Sequence, residues 1–288
     1  MDESKLHIED VYKSYDGKVI LDDIDLKVSK GEFCSVVGPS GCGKSTLLRA
    51  LAGDLPYRGG INLLGSCLGQ WSAAQLAGTR AVMEQQFSPP PLMSVRELVA
   101  LGRYAKMESD TRANQCADKW LEHTHLGDYG HREAASLSGG EQQRAQLARC
   151  LAQLDSSRPI QKMLLLDEPT SALDLYHQHH CLQRIREFAA QGNLVIAVMH
   201  DVNLASLYAD HILLLKHGRL VAQGSPQQVL QASTLKSVYE ISMHISAHPN
   251  LGVPMVFSEP DNQDCPLPMR PQEARRIAAV DAKGNDVI

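Results

Sequence analysis

The sequence predicts an α/β protein built on a parallel core sheet, and three observations carry that expectation. Three short apolar runs, Phe33–Val37, Met163–Leu166 and Leu194–Met199, lack alternation and have the character of strands buried on both faces. Helix-like stretches follow the first run and separate the other two, which is the strand–helix–strand grammar of a parallel sheet. The 288 residues are 43% apolar and 21% charged, a globular composition that excludes a disordered or collagen-like chain. That length fits one large domain or two small ones.

In chain order, residues 5–28 come first. Leu6, Ile8 and Val11, then Val19, Leu21, Ile24, Leu26 and Val28, alternate with polar residues around Asp16-Gly17. This predicts a hairpin or meander of exposed antiparallel strands. The buried run 33–37 ends at Gly38, and a helix is expected from Ser45 to Ala52, closed by Gly53. Residues 61–76 read as a short strand pair and a loop. Segments 94–106, 111–126 and 139–154 carry apolar residues at three- and four-residue spacing and are expected to be helices. Ser94 followed by Glu97 fits a capping box. A helix over 174–190 joins the last two buried strands, and 211–223 reads as a hairpin turning at His217-Gly218. From Glu259 onward the chain is polar and rich in proline.

Charge and cysteine content narrow the classes. Lys+Arg 28 against Asp+Glu 33 gives 28 − 33 = −5, so the whole surface is not a basic nucleic-acid footprint and no nucleic-acid partner is expected. No apolar run approaches the roughly 20 residues that cross a bilayer, and the N-terminus shows no basic-then-apolar export pattern. Seven cysteines, with no C-x-x-C pair, read as free thiols in a reducing cytosol.

The chemistry begins at Gly38-Pro39-Ser40-Gly41-Cys42-Gly43-Lys44-Ser45, a full match to G-x-x-x-x-G-K-[ST] between a buried strand and a helix. Its glycines let successive backbone N–H groups curl around phosphate oxygens. The following helix aims its positive end at the same anion. Lys44 adds a point charge, Ser45 is placed to ligate Mg²⁺, and Thr46 can donate to the α- and β-phosphates. Cys42 lies close to Lys44 and a helix start, a setting that lowers a thiol's pKa; the competing reading is a small loop filler. The run Met163–Leu166 ends in Asp167 and Glu168. There Asp167 can hold the Mg²⁺ shell, and Glu168 can polarise a water for in-line attack on the γ-phosphate.

Leu137-Ser138-Gly139-Gly140-Glu141-Gln142-Gln143-Arg144 separates this chain from other nucleotide-binding proteins. Ser138 with the Gly139 and Gly140 amides forms an anion nest at a helix start. A plain serine N-cap would look the same. Here the sequence resembles the ATP-binding cassette (ABC) superfamily, with Glu141 as a variant before Gln142. The resemblance covers roughly residues 5–258 and implies an ABC-type P-loop NTPase fold: a parallel core, an antiparallel β-subdomain and a helical subdomain over about 86–150. On this reading 1–258 is the cassette and 259–288 a polar tail.

The resemblance also implies roles. The Ser138–Gly140 nest would complete the nucleotide site of a second, head-to-tail subunit, so that ATP bridges Lys44 of one copy and Ser138 of the other. Gln85, in Ala81-Val82-Met83-Glu84-Gln85, is similar to the Q-loop glutamine that contacts Mg²⁺ and the attacking water, and Gln86 is adjacent. Asp174, in Ser171-Ala172-Leu173-Asp174, is similar to the D-loop aspartate at the dimer seam. His200, after the Leu194–Met199 run, is similar to the switch histidine on the γ-phosphate. Tyr15 lies 29 residues before Lys44 (44 − 15), where the family stacks an aromatic on adenine; Tyr12 competes for that place.

Within the family, only 52 residues separate Gln85 from Leu137 (137 − 85), too few for the long coiled coil of DNA-repair members. A single phosphate loop differs from the paired cassettes of translation-type members, and no fused membrane helices mark it as an exporter. The resemblance therefore implies a separate ATPase subunit of a bacterial importer, a homodimer beneath two transmembrane permease subunits on the cytoplasmic face of the inner membrane. Residues 137–153 and 171–179, with His248-Pro249 and Gly252–Pro254, are similar to the ATPases of haem importers, whose relatives serve siderophores and cobalamin. Haem as cargo, delivered by a periplasmic haem-binding protein, follows from that likeness alone. An alternative of another class is a soluble ABC protein acting on nucleic acid or ribosomes. Finally, His177 and His180 share one helical face while His179 points elsewhere. With no acid or thiolate to complete a zinc set, they read as a solvated or partner-facing surface.

Overall fold

A computed structural model describes residues 4–156 and 161–259. The chain opens with β1 (Ser4–Tyr15) and β2 (Lys18–Ser29), paired antiparallel across Asp16-Gly17. Next come β3 (Phe33–Val37), α1 (Lys44–Ala52), β4 (Arg58–Leu63), β5 (Ser66–Cys67), α2 (Ala73–Thr79) and β6 (Arg80–Met83). A helical stretch follows, with α3 (Val95–Ala100), α4 (Asp110–His123) and α5 (Gly139–Leu154). The chain then returns to the sheet through β7 (Met163–Asp167), α6 (Leu175–Ala190) and β8 (Leu194–Val198). After α7 (Val202–Tyr208) come the hairpin β9 (His211–Lys216) and β10 (Arg219–Gly224), then α8 (Pro226–Val229) and α9 (Ala232–Tyr239). A second small hairpin, β11 (Met243–Ala247) with β12 (Pro254–Ser258), closes the described chain.

The central sheet has the order β10-β9-β3-β8-β7-β6. All neighbours from β9 to β6 are parallel, and β10 adds an antiparallel edge. Its strands β3, β7 and β8 are buried at every position, because each face packs against a different layer. Phe33, Leu164, Leu166, Val195 and Ala197 face α5, α6 and α7. Cys34, Val36, Leu165, Ile196 and Val198 face α1 and the antiparallel sheet, which runs β2-β1-β4-β5. Alternate residues of one strand thus enter different cores, and both must be apolar.

The first hairpin departs from the expected exposed meander. Leu6, Ile8, Val11, Leu21 and Ile24 are fully buried, since this sheet lies against the α1 layer rather than in solvent. The 61–76 region also differs: α2 begins at Ala73 behind a Ser72/Gln75 capping box, where a loop was expected. The helical stretch has its own core, in which Val95, Leu98 and Val99 of α3 meet Ala117 and Leu121 of α4 and Ala145, Ala148 and Ala152 of α5. The Ser94/Glu97 capping box forms as expected. The tail read from residue 259 lies, beyond Glu259, outside the described residues. Among the described residues no helix is long and apolar enough to cross a membrane.

Candidate active site

Because β3, β8, β7 and β6 are consecutive parallel neighbours, their carboxyl ends open on one edge of the sheet. That edge is where α/β folds hold ligands. The loop Gly38–Gly43 leaves β3, His200 follows β8, Asp167 ends β7 with Glu168 beyond it, and Gln85 lies two residues past β6.

Sterics explain the glycines of the phosphate loop. A Cβ on Gly38 would stand 2.1 Å from the Leu215 carbonyl oxygen, and Gly43 starts α1 from φ 109°. An L side chain disfavours the second conformation and has no room at the first. The buried Lys44 side chain folds back along the loop, its Nζ donating to the carbonyls of Gly38 at 2.8 Å and Pro39 at 2.9 Å. Ser45 and Thr46 lie half-buried in the first turn of α1, Pro39 is half-buried, and Ser40 and Gly41 are exposed. Cys42 is buried, and burial raises its thiol pKa against the lowering field of Lys44. The thiol is thus raised rather than lowered, and the loop-filler reading that the sequence favours fits the buried side chain. Proximity to a cation and a helix start is outweighed by loss of water.

Asp167 is buried and bonded to Ser45, and its Oδ1 has no partner. Burial pushes its carboxyl above the usual range and the Glu168 charge adds to that, while Ser45, Lys44 and His200 pull the other way. Glu168 takes a left-handed backbone, φ 53°, and its N–H donates to the Val198 carbonyl at 3.1 Å. Its largely buried carboxylate Oε1 pairs with Nε2 of the half-exposed His200. An orphaned buried carboxylate oxygen beside a hydroxyl is a hard-oxygen donor set, and it fits Mg²⁺.

Ser138 caps α5. Its Oγ accepts from the Glu141 N–H, and the Glu141 carboxylate takes the Ser138 N–H at 2.7 Å. Those bonds hold the Glu141 carboxyl below its usual range. Gly139 is exposed and Gly140 half-buried against the loop after β7. Asp174 caps α6, accepting from the His177 N–H at 2.9 Å. Tyr15 is exposed at the end of β1, with Lys13 Nζ 4.5 Å from its ring centre; Tyr12 is half-buried in the strand with Arg58 over it. Gln85 and Gln86 are both exposed. The structure thus gathers Lys44, Ser45, Asp167, Glu168 and His200 at one sheet edge. It sets Ser138–Gly140 on the helical layer and Tyr15 on the antiparallel sheet.

Two features escaped the sequence reading. Gln143, inside the quoted glycine-rich run, reaches across to the loop after β7. The only local hint was its place five residues past the cap. The histidine face of α6 also has a partner: His125, between α4 and α5, packs edge-on against His180 at 4.4 Å and His177 at 6.0 Å between ring centres, with Tyr176 beside them. His179 turns away and pairs with the Tyr208 hydroxyl at 2.7 Å.

Comparison with known proteins matches residues 21–171 to the family model described as ABC transporter. A relative from Idiomarina loihiensis, named hemin import ATP-binding protein HmuV, is 50% identical over 84% of this chain and 93% of its own length. Among solved structures, a metal-chelate type ABC transporter in an inward-facing conformation aligns with TM-score 0.75 and 27% identity, covering 89% of this chain and 98% of that one. A dimeric ATP-binding cassette in a post-hydrolysis state, bound to ADP and Pi, aligns with TM-score 0.69 and 27% identity over 76% of this chain and 98% of that one.

Proposed function

This chain belongs to the ABC transporter family and is an ATPase of that family, and we propose that it powers haem import as the ATP-hydrolysing subunit beneath two separate membrane permease subunits. The observation that carries the catalytic reading is the shared sheet edge, where the Lys44 loop, the orphaned Asp167 oxygen and the Glu168–His200 pair meet. The haem assignment draws on the 50% identical hemin-import relative.

In this mechanism the backbone N–H groups of residues 39–44 and the start of α1 cradle the β- and γ-phosphates. Lys44 exchanges the Gly38 and Pro39 carbonyls for phosphate oxygens, which repays its desolvation. Thr46 donates beside it, and Tyr15 offers its exposed ring to the adenine. Ser45 and Asp167, with Gln85, would hold Mg²⁺, which supplies charge neutralisation to the phosphates. Glu168 accepts a proton from the water that attacks the γ-phosphorus. His200 holds the Glu168 carboxylate and faces the γ-phosphate. Ser138, Gly139, Gly140 and Glu141 at the start of α5 face the nucleotide of a second copy, with Asp174 at the seam.

Docking to permeases fits large apolar side chains left in solvent before and after α3. Leu92 is 89%, Tyr104 86% and Met107 95% exposed. Met107 also lines a cleft of about 1090 Å³ between α2 and α4, with Trp71, Arg103, Lys106, Lys119 and Asp155. Burial and the neighbouring Arg103 charge bring the Lys106 amine down to about 8. On this reading the protein works at the cytoplasmic face of the inner membrane, and a periplasmic haem-binding protein feeds the complex.

The deciding experiment replaces Glu168 with Gln, which keeps size and removes the base. Hydrolysis should slow by roughly 10²-fold or more while ATP binding persists. An unchanged rate removes Glu168 as base. For the partner, co-purification of permease subunits supports the importer, and co-purification of ribosomes or nucleic acid overturns it.

A further inference from the structure

The amide of Gln143 makes three hydrogen bonds to one loop. Its Nε2 donates to the Glu168 carbonyl at 2.7 Å and to Ser171 Oγ at 3.0 Å, and its Oε1 accepts from the Ala172 N–H at 3.1 Å. Every hydrogen-bonding direction that the side chain directs at this loop is used, and the group is half-buried. The loop is tied to itself as well, since Ser171 donates to the Glu168 carbonyl from its N–H at 3.3 Å and from Oγ at 3.2 Å. At the start of the loop stands Glu168, in a left-handed backbone that costs a non-glycine residue free energy unless its surroundings enforce it. Gln143 is among those surroundings. One turn earlier on α5, Gly140 lies so close that a Cβ would meet the Ala172 carbonyl oxygen at 2.8 Å.

We propose that Gln143 is a positioning residue that locks the start of α5 to the Glu168 loop of its own chain, so that engagement of one ATP site reorients the catalytic carboxylate of the other. The proposal rests on the head-to-tail dimer reading. There, Ser138–Gly140 of a chain faces the partner's ATP while Glu168 of the same chain serves its own. Any shift of α5 toward the partner's nucleotide is transmitted through Gln143 to Glu168. Two nucleotide sites joined by such a link bind and hydrolyse cooperatively. Gln143 itself touches no reacting atom.

The test compares the full-length wild type with Gln143→Met, which keeps length and apolar volume but makes none of the three bonds. A second variant, Gln143→Glu, keeps an acceptor for Ala172 and turns a carboxylate toward the Glu168 carbonyl. Steady-state ATPase is measured against ATP concentration, with thermal melting alongside. In both variants kcat should fall by roughly 10- to 100-fold, as small misplacements of catalytic groups do, with KM within about twofold of wild type. The Hill coefficient should fall toward about 1, from a wild-type value between 1 and the number of sites. A purely structural residue would lower the melting temperature and leave the Hill coefficient where it was. The dimer is checked separately, by ATP-driven dimerisation of Glu168→Gln with Gln143 intact. If that dimer fails to form, the head-to-tail reading falls and the coupling role with it. If it forms and the folded Gln143 variants keep wild-type kcat and Hill coefficient, the role of Gln143 alone is refuted.

Discussion

Alanine placed at Gly139 and at Gly140 should have opposite effects, although the two residues are adjacent in the same helical turn. Neither has a positive φ, so both accept alanine, and the loss of glycine's freedom in the unfolded chain stabilises by about 0.4–1 kcal/mol. Space then decides. A Cβ at Gly139 meets only the Ala172 Cβ at 3.7 Å, an ordinary contact. A Cβ at Gly140 meets the Ala172 carbonyl oxygen at 2.8 Å and Leu173 Cδ2 at 3.4 Å. The carbonyl cannot step aside freely, because the Ala172 N–H is held by Gln143 at 3.1 Å. Overpacking of this kind costs about 1–3 kcal/mol. Gly139→Ala should therefore gain the whole entropic term, and Gly140→Ala should lose between about 0 and 2.6 kcal/mol net. The gap between the variants is the overpacking term itself, which at about 2–4 °C per kcal/mol is about 2–12 °C in melting temperature. Parallel thermal melts followed by circular dichroism measure it. Gly140→Ala melting at or above Gly139→Ala would refute the close approach of the two segments.

Two further outcomes follow from the titratable groups. Burial raises the Cys42 thiol, so at pH 7.5 iodoacetamide should label it at least about tenfold more slowly than the exposed Cys67, with the rate climbing as pH rises; equal rates read by peptide mass spectrometry would contradict this. His125 and His177 are held below the usual imidazole range, by burial first and then by neighbouring positive groups that include His180 and Arg144. Below about pH 6.5 the unfolded chain therefore takes up protons that the folded one refuses, and stability must fall on acidification. A His125→Gln/His177→Gln variant should show a shallower decline of melting temperature between pH 7.5 and 5.5, and parallel curves would count against it.

The parts legible in the sequence were those with a local cause. β3, β7 and β8 announce themselves because a strand buried on both faces must be apolar throughout. The caps Ser94/Glu97 and Ser138/Glu141 are readable because both partners lie within one turn. α2 was not readable: its seven residues bury only Thr79, so no apolar face repeats. β11 and β12 bury only Pro254 between them, and each is five residues long, so the brief alternation of Met243 and Ile245 with His244 and Ser246 is too short a signal to read. Among the candidate site residues, Asp167, Glu168 and His200 could be proposed because each ends or follows a recognisable strand, and Lys44 because the phosphate-loop pattern stands after one. The Glu168–His200 pair, the reach of Gln143 and the His125 partner of α6 join residues 25 or more positions apart, and no local pattern encodes such contacts. Cys42 shows the same limit for electrostatics, since its charged neighbours are visible in the chain and its burial is not.

The sequence of α5 ties the core under the parallel sheet to that of the helical layer. Leu147, Cys150, Leu151 and Leu154 belong to the core under the parallel sheet. Ala145, Ala148 and Ala152 belong to the core of the helical layer. The first set repeats at i, i+3, i+4 and i+7 and the second at i, i+3 and i+7, so the helix presents one stripe to each lobe. Large residues fill the deeper sheet-side space, and alanines let α3 and α4 approach closely on the other. Arg144 adds a third fastening, with Nη1 donating to the carbonyls of Thr124 at 3.2 Å and His125 at 3.0 Å. A 16-residue helix spans about 24 Å. Being packed on two sides, it moves as a rod, because bending it would open voids in two close-packed cores at once. The end that carries Ser138 therefore cannot shift without disturbing β6, whose Val82 and Arg80 carbonyls accept from Arg149, Cys150 and Gln153 of the same helix.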